Sequence, residues 1–225
     1  MKNLNIKAFG GLAFLIIVMA LVLFLPAGTF NYWQAWIFLI VFGTSTLAVT
    51  LYLMKNDPKL LERRVKAGPV AEKESIQKVI QSLATIAFIL IILFPAVDYR
   101  YRWSTVPSFV SIFGDFLVAL GLLIVFFVFK ENSFTSGTIE VEANQKVVST
   151  GPYAIVRHPM YAGAFIMLIG VPLALGSLWG LLTIIPLILV IIWRLLDEEK
   201  ILKKNLLGYL EYQKRVKYRL VPHIW

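Results

Sequence analysis

The sequence predicts an all-α integral membrane protein with about six transmembrane helices, because it is too apolar for a water-soluble domain. Of its 225 residues, 59% are hydrophobic and only 16% are charged, and the mean hydropathy is +0.76. A soluble domain carries about 25% charged residues, and this excess of apolar side chains cannot be buried in one globular core. Long apolar runs between short polar stretches complete the pattern.

Six apolar runs follow one another, and each is a candidate to cross the hydrocarbon core, which takes about 20 residues. The last two runs are so close together that they predict a tight helical hairpin. Lys2 and Lys7 before the first run would also suit a signal peptide, but no small-x-small cleavage site follows it, so we expect a retained helix. The six runs are Ala8–Leu25, Trp33–Met54, Val79–Val97, Pro107–Phe129, Tyr161–Leu175 and Leu181–Leu196.

The basic residues predict the orientation of these helices. All 22 lysines and arginines except Arg100 and Arg102 fall at the two chain ends or in the loops after the second and fourth runs. Because cytoplasmic segments are enriched in Lys and Arg, we expect both termini in the cytoplasm. The net charge of +9 then reflects orientation and contact with anionic membrane lipids, and not a nucleic-acid partner.

Several kinds of chemistry are excluded by residues that the chain lacks. It has no cysteine and only two histidines, His158 and His223, so disulfide scaffolds, thiolate nucleophiles and Cys-ligated metals are ruled out and we expect no metal site. The sequence has no Gly-x-Gly-x-x-Gly or Walker A loop for nucleotide phosphates. It also has no Gly-x-Ser-x-Gly, which argues against nucleophilic acyl transfer.

The chain divides into two regions of different polar content. Residues 1–129 hold the first four runs and a charged cytoplasmic loop at 55–78. Residues 130–225 hold a polar stretch, the hairpin over 158–198 and a C-terminal segment, and within the polar stretch Thr138–Glu142 alternates like a short strand. Glu198–Trp225 mixes apolar and basic positions, which predicts an amphipathic cytoplasmic helix that either anchors to the membrane surface or folds back as a lid.

The hairpin geometry brings polar residues together at its open end. His158–Gly176 and Gly180–Glu198 are equally long arms of about 27 Å at about 1.5 Å per residue. If they pack antiparallel, one cluster forms at the cytoplasmic membrane edge. Such a cluster is costly unless its members are paired or used, although simple ion pairing toward water would also explain it. The cluster comprises Arg157, His158, Tyr161, Arg194, Asp197, Glu198 and Glu199.

Four short motifs stand out in residues 130–225. They are Val148-Ser149-Thr150-Gly151-Pro152-Tyr153, Arg157-His158-Pro159-Met160-Tyr161-Ala162-Gly163, Asp197-Glu198-Glu199 and Gly208-Tyr209-x-x-Tyr212. Together they resemble the isoprenylcysteine carboxyl methyltransferases and the related phospholipid N-methyltransferases. The first four runs carry no motif of this kind.

The resemblance implies an S-adenosylmethionine-dependent membrane methyltransferase whose product is S-adenosylhomocysteine. It implies a lipophilic substrate, either a prenyl-cysteine-like carboxylate or a lipid headgroup, and Arg215 as the residue that steers the substrate carboxylate. Glu198 and Glu199 would hold the amino group or ribose hydroxyls of the cofactor. The full set of cofactor residues that the resemblance implies is Gln145, Val147, Gly151, Tyr153, Arg157, His158, Pro159, Tyr161, Glu198 and Glu199.

The nature of the acceptor decides what catalysis requires. A carboxylate acceptor is ionised at neutral pH and needs no base, whereas an amine acceptor needs one, for which Glu198, Glu199 or His158 are candidates. Two other functions remain open. The chain end, Val216-Lys217-Tyr218-Arg219 and Pro222, also resembles membrane sterol reductases that use NADPH, and a non-catalytic lipid-binding protein would share the same composition.

Overall fold

Long α-helices dominate the described part of the chain, which comprises residues 2–72, 74–139, 141–142 and 144–225 of a computed structural model. Short 3₁₀ turns at Pro69–Ala71, Gly151–Ala154 and Trp179–Thr183 lie between them. The α-helices are α1 (Lys2–Ala27), α2 (Trp33–Asn56), α3 (Pro58–Val65), α4 (Ser75–Tyr101), α5 (Ser108–Glu131), α6 (Pro159–Ala174), α7 (Ile184–Asn205) and α8 (Tyr209–Arg215).

Five segments within the described residues are long and apolar enough to cross a membrane. The predicted all-α fold is confirmed, and these segments support an integral membrane protein. The predicted count of six is not confirmed, because the fifth predicted run, Tyr161–Leu175, lies in α6, which has only 16 residues. Pro159 begins α6, and Gly176 lies just beyond its end with a left-handed φ of +71°. The five segments are Asn3–Ala27, Trp33–Asn56, Ser75–Tyr101, Ser108–Glu131 and Trp179–Asn205.

The polar stretch between α5 and α6 contains no strand among its described residues. The alternation at Thr138–Glu142 predicts one, but Thr138, Ile139, Val141 and Glu142 are not in a strand, and Glu140 lies outside the described residues. Alternation alone does not make a strand when no neighbouring segment supplies the ladder of hydrogen bonds.

α6 packs against α5 at backbone contact through glycines on both helices. An added Cβ at Gly114 would lie 2.1 Å from the Ala174 nitrogen, and one at Gly121 would lie 2.5 Å from the Gly163 carbonyl oxygen. One at Gly170 would lie 2.6 Å from the Gly114 carbonyl oxygen. Small residues allow this approach between membrane helices, and the contact fixes the position of the first turn of α6.

The turn after α6 is held by buried polar groups at the opposite end of the bundle from His158. Asp98 is 1% exposed and accepts hydrogen bonds from the Ser104 backbone nitrogen and hydroxyl, both at 2.7 Å, and from the Ser177 hydroxyl. The Tyr32 hydroxyl donates to the Leu175 carbonyl at 2.6 Å. These bonds anchor the hairpin turn to α2 and α4.

The C-terminal segment is less regular than the predicted amphipathic helix, which is not confirmed as one continuous element. α7 continues through Glu198 and Glu199 to Asn205, Gly208 has a left-handed φ of +85°, and α8 is seven residues long. Beyond α8 the chain folds back onto the start of α6. The backbone nitrogen of Arg157 donates to the Tyr218 carbonyl, and the backbone nitrogen of His158 donates to the Arg219 carbonyl, each at 2.9 Å.

Candidate active site

One cavity of about 860 Å³ begins at the end of the helix bundle where Lys7, Arg64 and His158 lie. Its volume is within the range of about 300–1,000 Å³ typical of small-molecule sites. The cavity is polar at this end and becomes apolar between the long helices. Its polar lining includes Asn132, Gln145, His158, Glu198 and Tyr209, and its apolar lining includes Leu12, Phe42, Phe88, Leu168 and Ile191.

Most of the cofactor residues predicted from sequence line this one cavity. Three predicted residues lie elsewhere: Gly151 lines a second cavity of about 570 Å³, Glu199 lies behind the wall, and Arg215 is exposed at the end of α8. The predicted functions of all these residues stay predictions. The residues that line the first cavity are Gln145, Val147, Tyr153, Arg157, His158, Pro159, Tyr161 and Glu198.

Glu198 presents a carboxylate to the cavity. It accepts a hydrogen bond of 2.7 Å from the Tyr161 hydroxyl, which fixes the carboxylate from the facing helix. The Tyr161 ring is also next to the His158 ring, with 5.8 Å between the ring centroids. One oxygen of Glu198 is bonded to Tyr161 in this way, and a carboxylate has further lone pairs that a ligand can use.

Glu199 is the anionic centre of a buried ion cluster behind the cavity. Its side chain is 2% exposed, and one of its oxygens lies 2.9 Å from Arg157 Nε and 3.4 Å from His158 Nε2. Its second oxygen accepts from Arg219 Nε at 3.2 Å and lies 3.9 Å from Lys203 Nζ. A buried carboxylate needs such partners, and this cluster holds the C-terminal segment against the start of α6.

Tyr153, Tyr209 and Tyr212 line the cavity. The Tyr212 hydroxyl donates to the Tyr153 carbonyl at 2.8 Å, and the Tyr153 hydroxyl accepts from Asn132 at 3.0 Å. The Tyr209 hydroxyl is buried and has no partner among the described residues, although Tyr209 lines the cavity. Burial raises the pKa of the Tyr153, Tyr209 and Tyr212 hydroxyls, so all three stay protonated donors at neutral pH.

A second polar cluster beside the cavity joins Arg194 and Asp197 to two residues, Glu72 and Gln77, that the sequence does not place there. Arg194 donates to Glu72 at 2.8 Å, to Gln77 at 3.2 Å and to the Gly137 carbonyl at 3.1 Å. Gln77 also donates to Asp197. Glu72 and Gln77 are buried, although the sequence predicts a surface loop at 55–78. The charged stretch that contains Glu72 and Gln77 gives no sign of a partner more than a hundred positions away.

The cavity therefore joins the two regions into which the sequence was divided. Lys7, Arg64 and Gln81 from the first region line it together with His158, Glu198 and Tyr209 from the second. A polar ligand can bind near Glu198 and Tyr209 while an apolar chain occupies the space between the long helices. Such an arrangement can align a polar cofactor with the head of a lipid-soluble molecule.

Two comparisons with known proteins bear on this site. Residues 109–207 match the phospholipid methyltransferase family model, which confirms the predicted resemblance to membrane methyltransferases. The matched stretch runs from α5 to the residue before Gly208, and includes His158, Glu198 and Glu199. A Delta(14)-sterol reductase of Mus musculus is 32% identical over 95 residues, which are 39% of this chain and 22% of the reductase. This chain thus covers only a minor part of that relative.

Proposed function

We propose that this protein is an S-adenosylmethionine-dependent methyltransferase that acts on a lipophilic acceptor at the cytoplasmic face of a membrane. The observation that carries the proposal is one continuous cavity of about 860 Å³, polar near Glu198 and apolar between the membrane helices. The match of residues 109–207 to the phospholipid methyltransferase family supports a methyltransferase. An acceptor with a lipid tail and a polar head fits both parts of the cavity.

The polar end has groups suited to S-adenosylmethionine. The buried Tyr209 hydroxyl lacks a partner among the described residues, which is costly for a donor unless a ligand bonds it. Glu198 offers a carboxylate for an amino group or ribose hydroxyls, and Gln145 and Tyr153 complete the polar wall. When bound, this cofactor supplies a methyl group on a sulfonium sulfur, which the acceptor takes by in-line displacement, with cleavage of the carbon–sulfur bond and release of neutral S-adenosylhomocysteine.

The protein contributes mainly alignment to such a reaction. Holding two reactants in line replaces a bimolecular encounter and can supply much of the rate enhancement. The buried cluster around Glu199 keeps Arg157 and His158 fixed at the cavity wall. A carboxylate acceptor needs no base, as in isoprenylcysteine O-methylation, whereas for an amine acceptor Glu198 is the carboxylate placed in the cavity to take the proton. We assign Arg215, one turn beyond Tyr212, to the steering of an anionic acceptor toward the cavity.

We also propose that both termini are cytoplasmic. Lys7 near one terminus and Arg219 near the other lie at the same end of the bundle as the cavity. The positive-inside bias of the sequence supports a cytoplasmic position for that end.

A second candidate function is an NADPH-dependent reductase of the sterol type. The partial match to the Delta(14)-sterol reductase is the observation that favours it. The two functions differ in their cofactors, so binding experiments separate them.

The test is titration calorimetry of the purified protein in detergent with S-adenosylhomocysteine and, separately, with NADPH. We expect S-adenosylhomocysteine to bind, and Glu198→Gln to weaken it by about tenfold or more, the usual cost of a hydrogen bond to a charged group. Glu211→Gln is the matched control, because Glu211 is exposed and pairs only with Lys214 among the described residues. Binding of NADPH alone would support the reductase, and binding of neither would leave a non-catalytic lipid-binding protein.

A further inference from the structure

The charged residues that line the cavity are mostly basic. They are Lys7, Arg64, Lys146, Arg157 and Arg194 against one acid, Glu198. Arg157 and Arg194 are neutralised from behind by Glu199 and Glu72. Among the residues that the structure describes, Arg64 and Lys146 form no salt bridge, and Lys7 interacts with Glu62 without forming one. The cavity therefore presents more positive charge than its own carboxylate balances.

Arg64 is the least exposed of these three unpaired cations. Lys7 and Lys146 are exposed, whereas Arg64 is half-buried, with one guanidinium nitrogen 3.0 Å from the Ser136 carbonyl and the guanidinium 5.0 Å from the Phe129 ring centroid. A guanidinium has five N–H donors, so one carbonyl leaves most of them free. Burial lowers the pKa of Arg64, and a nearby anion favours the charged form of such a group.

The neighbouring Arg63 shows what a purely structural arginine looks like on the same helix. Arg63 pairs with Glu142 and donates to the Ser133 carbonyl at 2.8 Å, and it does not line the cavity. Both arginines thus tie α3 to the stretch after α5 through a carbonyl oxygen. Only Arg64 combines this tie with a place on the cavity wall and with no described acidic partner.

Arg64 also lies where the head of an amphiphile would meet the cofactor. Its guanidinium is 4.0 Å from the Met160 sulfur, and the next residue, Tyr161, donates to Glu198. From this point the lining continues into the apolar space between α1, α2 and α4, past Leu15, Phe42 and Phe88.

We propose that Arg64 binds the acidic group, a carboxylate or a phosphate, of the methyl acceptor, and that the cavity thereby selects amphiphiles with an anionic head. The proposal rests on the proposed function and adds to it a residue outside the stretch that matches the methyltransferase family. Arg guanidinium binds carboxylate and phosphate in bidentate geometry. A neutral sterol would leave Arg64 unpaired, and a cationic head would be repelled.

The experiment compares pairs of probes that differ in charge but share one tail. They are N-acetyl-S-farnesylcysteine with its neutral amide, and farnesyl phosphate with farnesol. Affinities are measured by thermophoresis in nanodiscs, with and without saturating S-adenosylhomocysteine, for the wild type, Arg64→Gln, Arg64→Lys and the matched control Arg63→Gln. Arg64→Gln removes the charge and shortens the side chain, so Arg64→Lys, which keeps a long basic side chain, controls for loss of the bond to the Ser136 carbonyl.

For the wild type we expect at least one anionic probe to bind about tenfold or more tightly than its neutral partner, as for a charge-assisted hydrogen-bonded pair. Arg64→Gln abolishes this preference, Arg64→Lys keeps part of it, and Arg63→Gln keeps all of it. S-adenosylhomocysteine affinity stays within about twofold in Arg64→Gln, because Arg64 is assigned to the acceptor.

Three results would overturn the inference: no charge preference in the wild type, an undiminished preference in Arg64→Gln, or an equal loss of cofactor binding in Arg64→Gln and Arg64→Lys, which would make Arg64 structural. A wild type that prefers anionic probes but binds no S-adenosylhomocysteine would instead reject the methyltransferase proposal and leave an anion-selective lipid site.

Discussion

Glu198 and Glu199 are adjacent in the chain but lie in different surroundings. Successive residues of an α-helix point about 100° apart, so α7 directs Glu198 into the cavity and Glu199 toward the C-terminal segment. Glu198 is bonded to Tyr161, whereas Glu199 is enclosed by Arg157, His158 and Arg219. The acidic pair that the sequence predicts as one cofactor contact therefore has one member placed for a ligand and one placed to hold the wall.

Tyr209 and Tyr212 also differ in their roles. We expect the Tyr209 hydroxyl to contact a ligand, whereas the Tyr212 hydroxyl makes a structural hydrogen bond. Tyr212→Phe removes the bond to the Tyr153 carbonyl and should lower the free energy of unfolding by about 1 kcal/mol. Tyr209→Phe removes a hydroxyl that has no described partner, so stability should hold while S-adenosylhomocysteine affinity falls about two- to tenfold. Thermal unfolding and calorimetry of both variants in one detergent check this.

Two further outcomes bear on the tyrosine prediction. Because burial raises the pKa of the Tyr209 hydroxyl, it remains a donor and its contribution to binding should persist up to about pH 9, below the usual tyrosine pKa. If Tyr209→Phe instead unfolded at lower temperature with unchanged affinity, the hydroxyl would have a structural partner and would not be a ligand contact.

At the scale of elements, the contact between α5 and α6 positions one wall of the cavity. α6 is too short to be fixed by its length in the membrane, and glycines bring its backbone against α5. The first turn of α6 holds Pro159, Met160 and Tyr161 at the cavity. Any displacement of α6 therefore moves the Tyr161 hydroxyl away from Glu198.

Gly114→Ala tests this contact, with Gly10→Ala as the control. A Cβ at Gly114 would lie 2.1 Å from the Ala174 nitrogen, whereas one at Gly10 would have nothing within 4 Å. Overpacking of this kind costs about 1–3 kcal/mol, so Gly114→Ala should unfold at clearly lower temperature and bind S-adenosylhomocysteine more weakly. Gly10→Ala should unfold within about a degree of the wild type, since surface changes rarely exceed about 0.5 kcal/mol. Equal unfolding temperatures for the two variants would contradict the close contact.

The sequence was sufficient to predict the elements that a local pattern defines. It was not sufficient to predict contacts between residues that are distant in the chain. Apolar runs predicted the long helices, because a membrane span needs only length and composition. The equal arms of the hairpin predicted that His158 would meet the acidic pair, and the His158–Glu199 distance of 3.4 Å agrees. The run from Tyr161 to Leu175 is already short for a full span, and α6 is short as well, with 16 residues. Its close contact with α5 was not predicted, because the glycines in the run do not indicate which helix they will meet.

Buried polar partners were missed for a related reason. Glu72 and Gln77 lie in a stretch that reads as a charged surface loop, and Asp98 lies at the end of an apolar run. Each is buried against a partner from the second half of the chain. Glu72 contacts Arg194, Gln77 contacts Asp197, and Asp98 contacts Ser177. No spacing rule connects such residues, so only the tertiary structure identifies them.

For the molecule as a whole, the cavity is lined both by residues inside the family match and by residues outside it. The family match covers residues 109–207, yet Lys7, Arg64 and Gln81 from outside it line the same cavity. Glu198 and Tyr161, which we propose for the cofactor site, lie in the matched stretch, whereas Arg64, which we propose for the acceptor, lies outside it. We predict that a cofactor and a lipid occupy this one cavity together.

The most direct measurement is transfer of a tritiated methyl group from S-adenosylmethionine into the organic phase, with purified protein in vesicles that contain phosphatidylethanolamine, anionic phospholipid and N-acetyl-S-farnesylcysteine. We predict labelled lipid or labelled prenyl-cysteine with the wild type. Glu198→Gln should give at least about tenfold less label in the organic phase, while Glu211→Gln should match the wild type. A wild type that binds S-adenosylhomocysteine yet labels none of these acceptors, or a Glu198→Gln variant as active as the wild type, would contradict it.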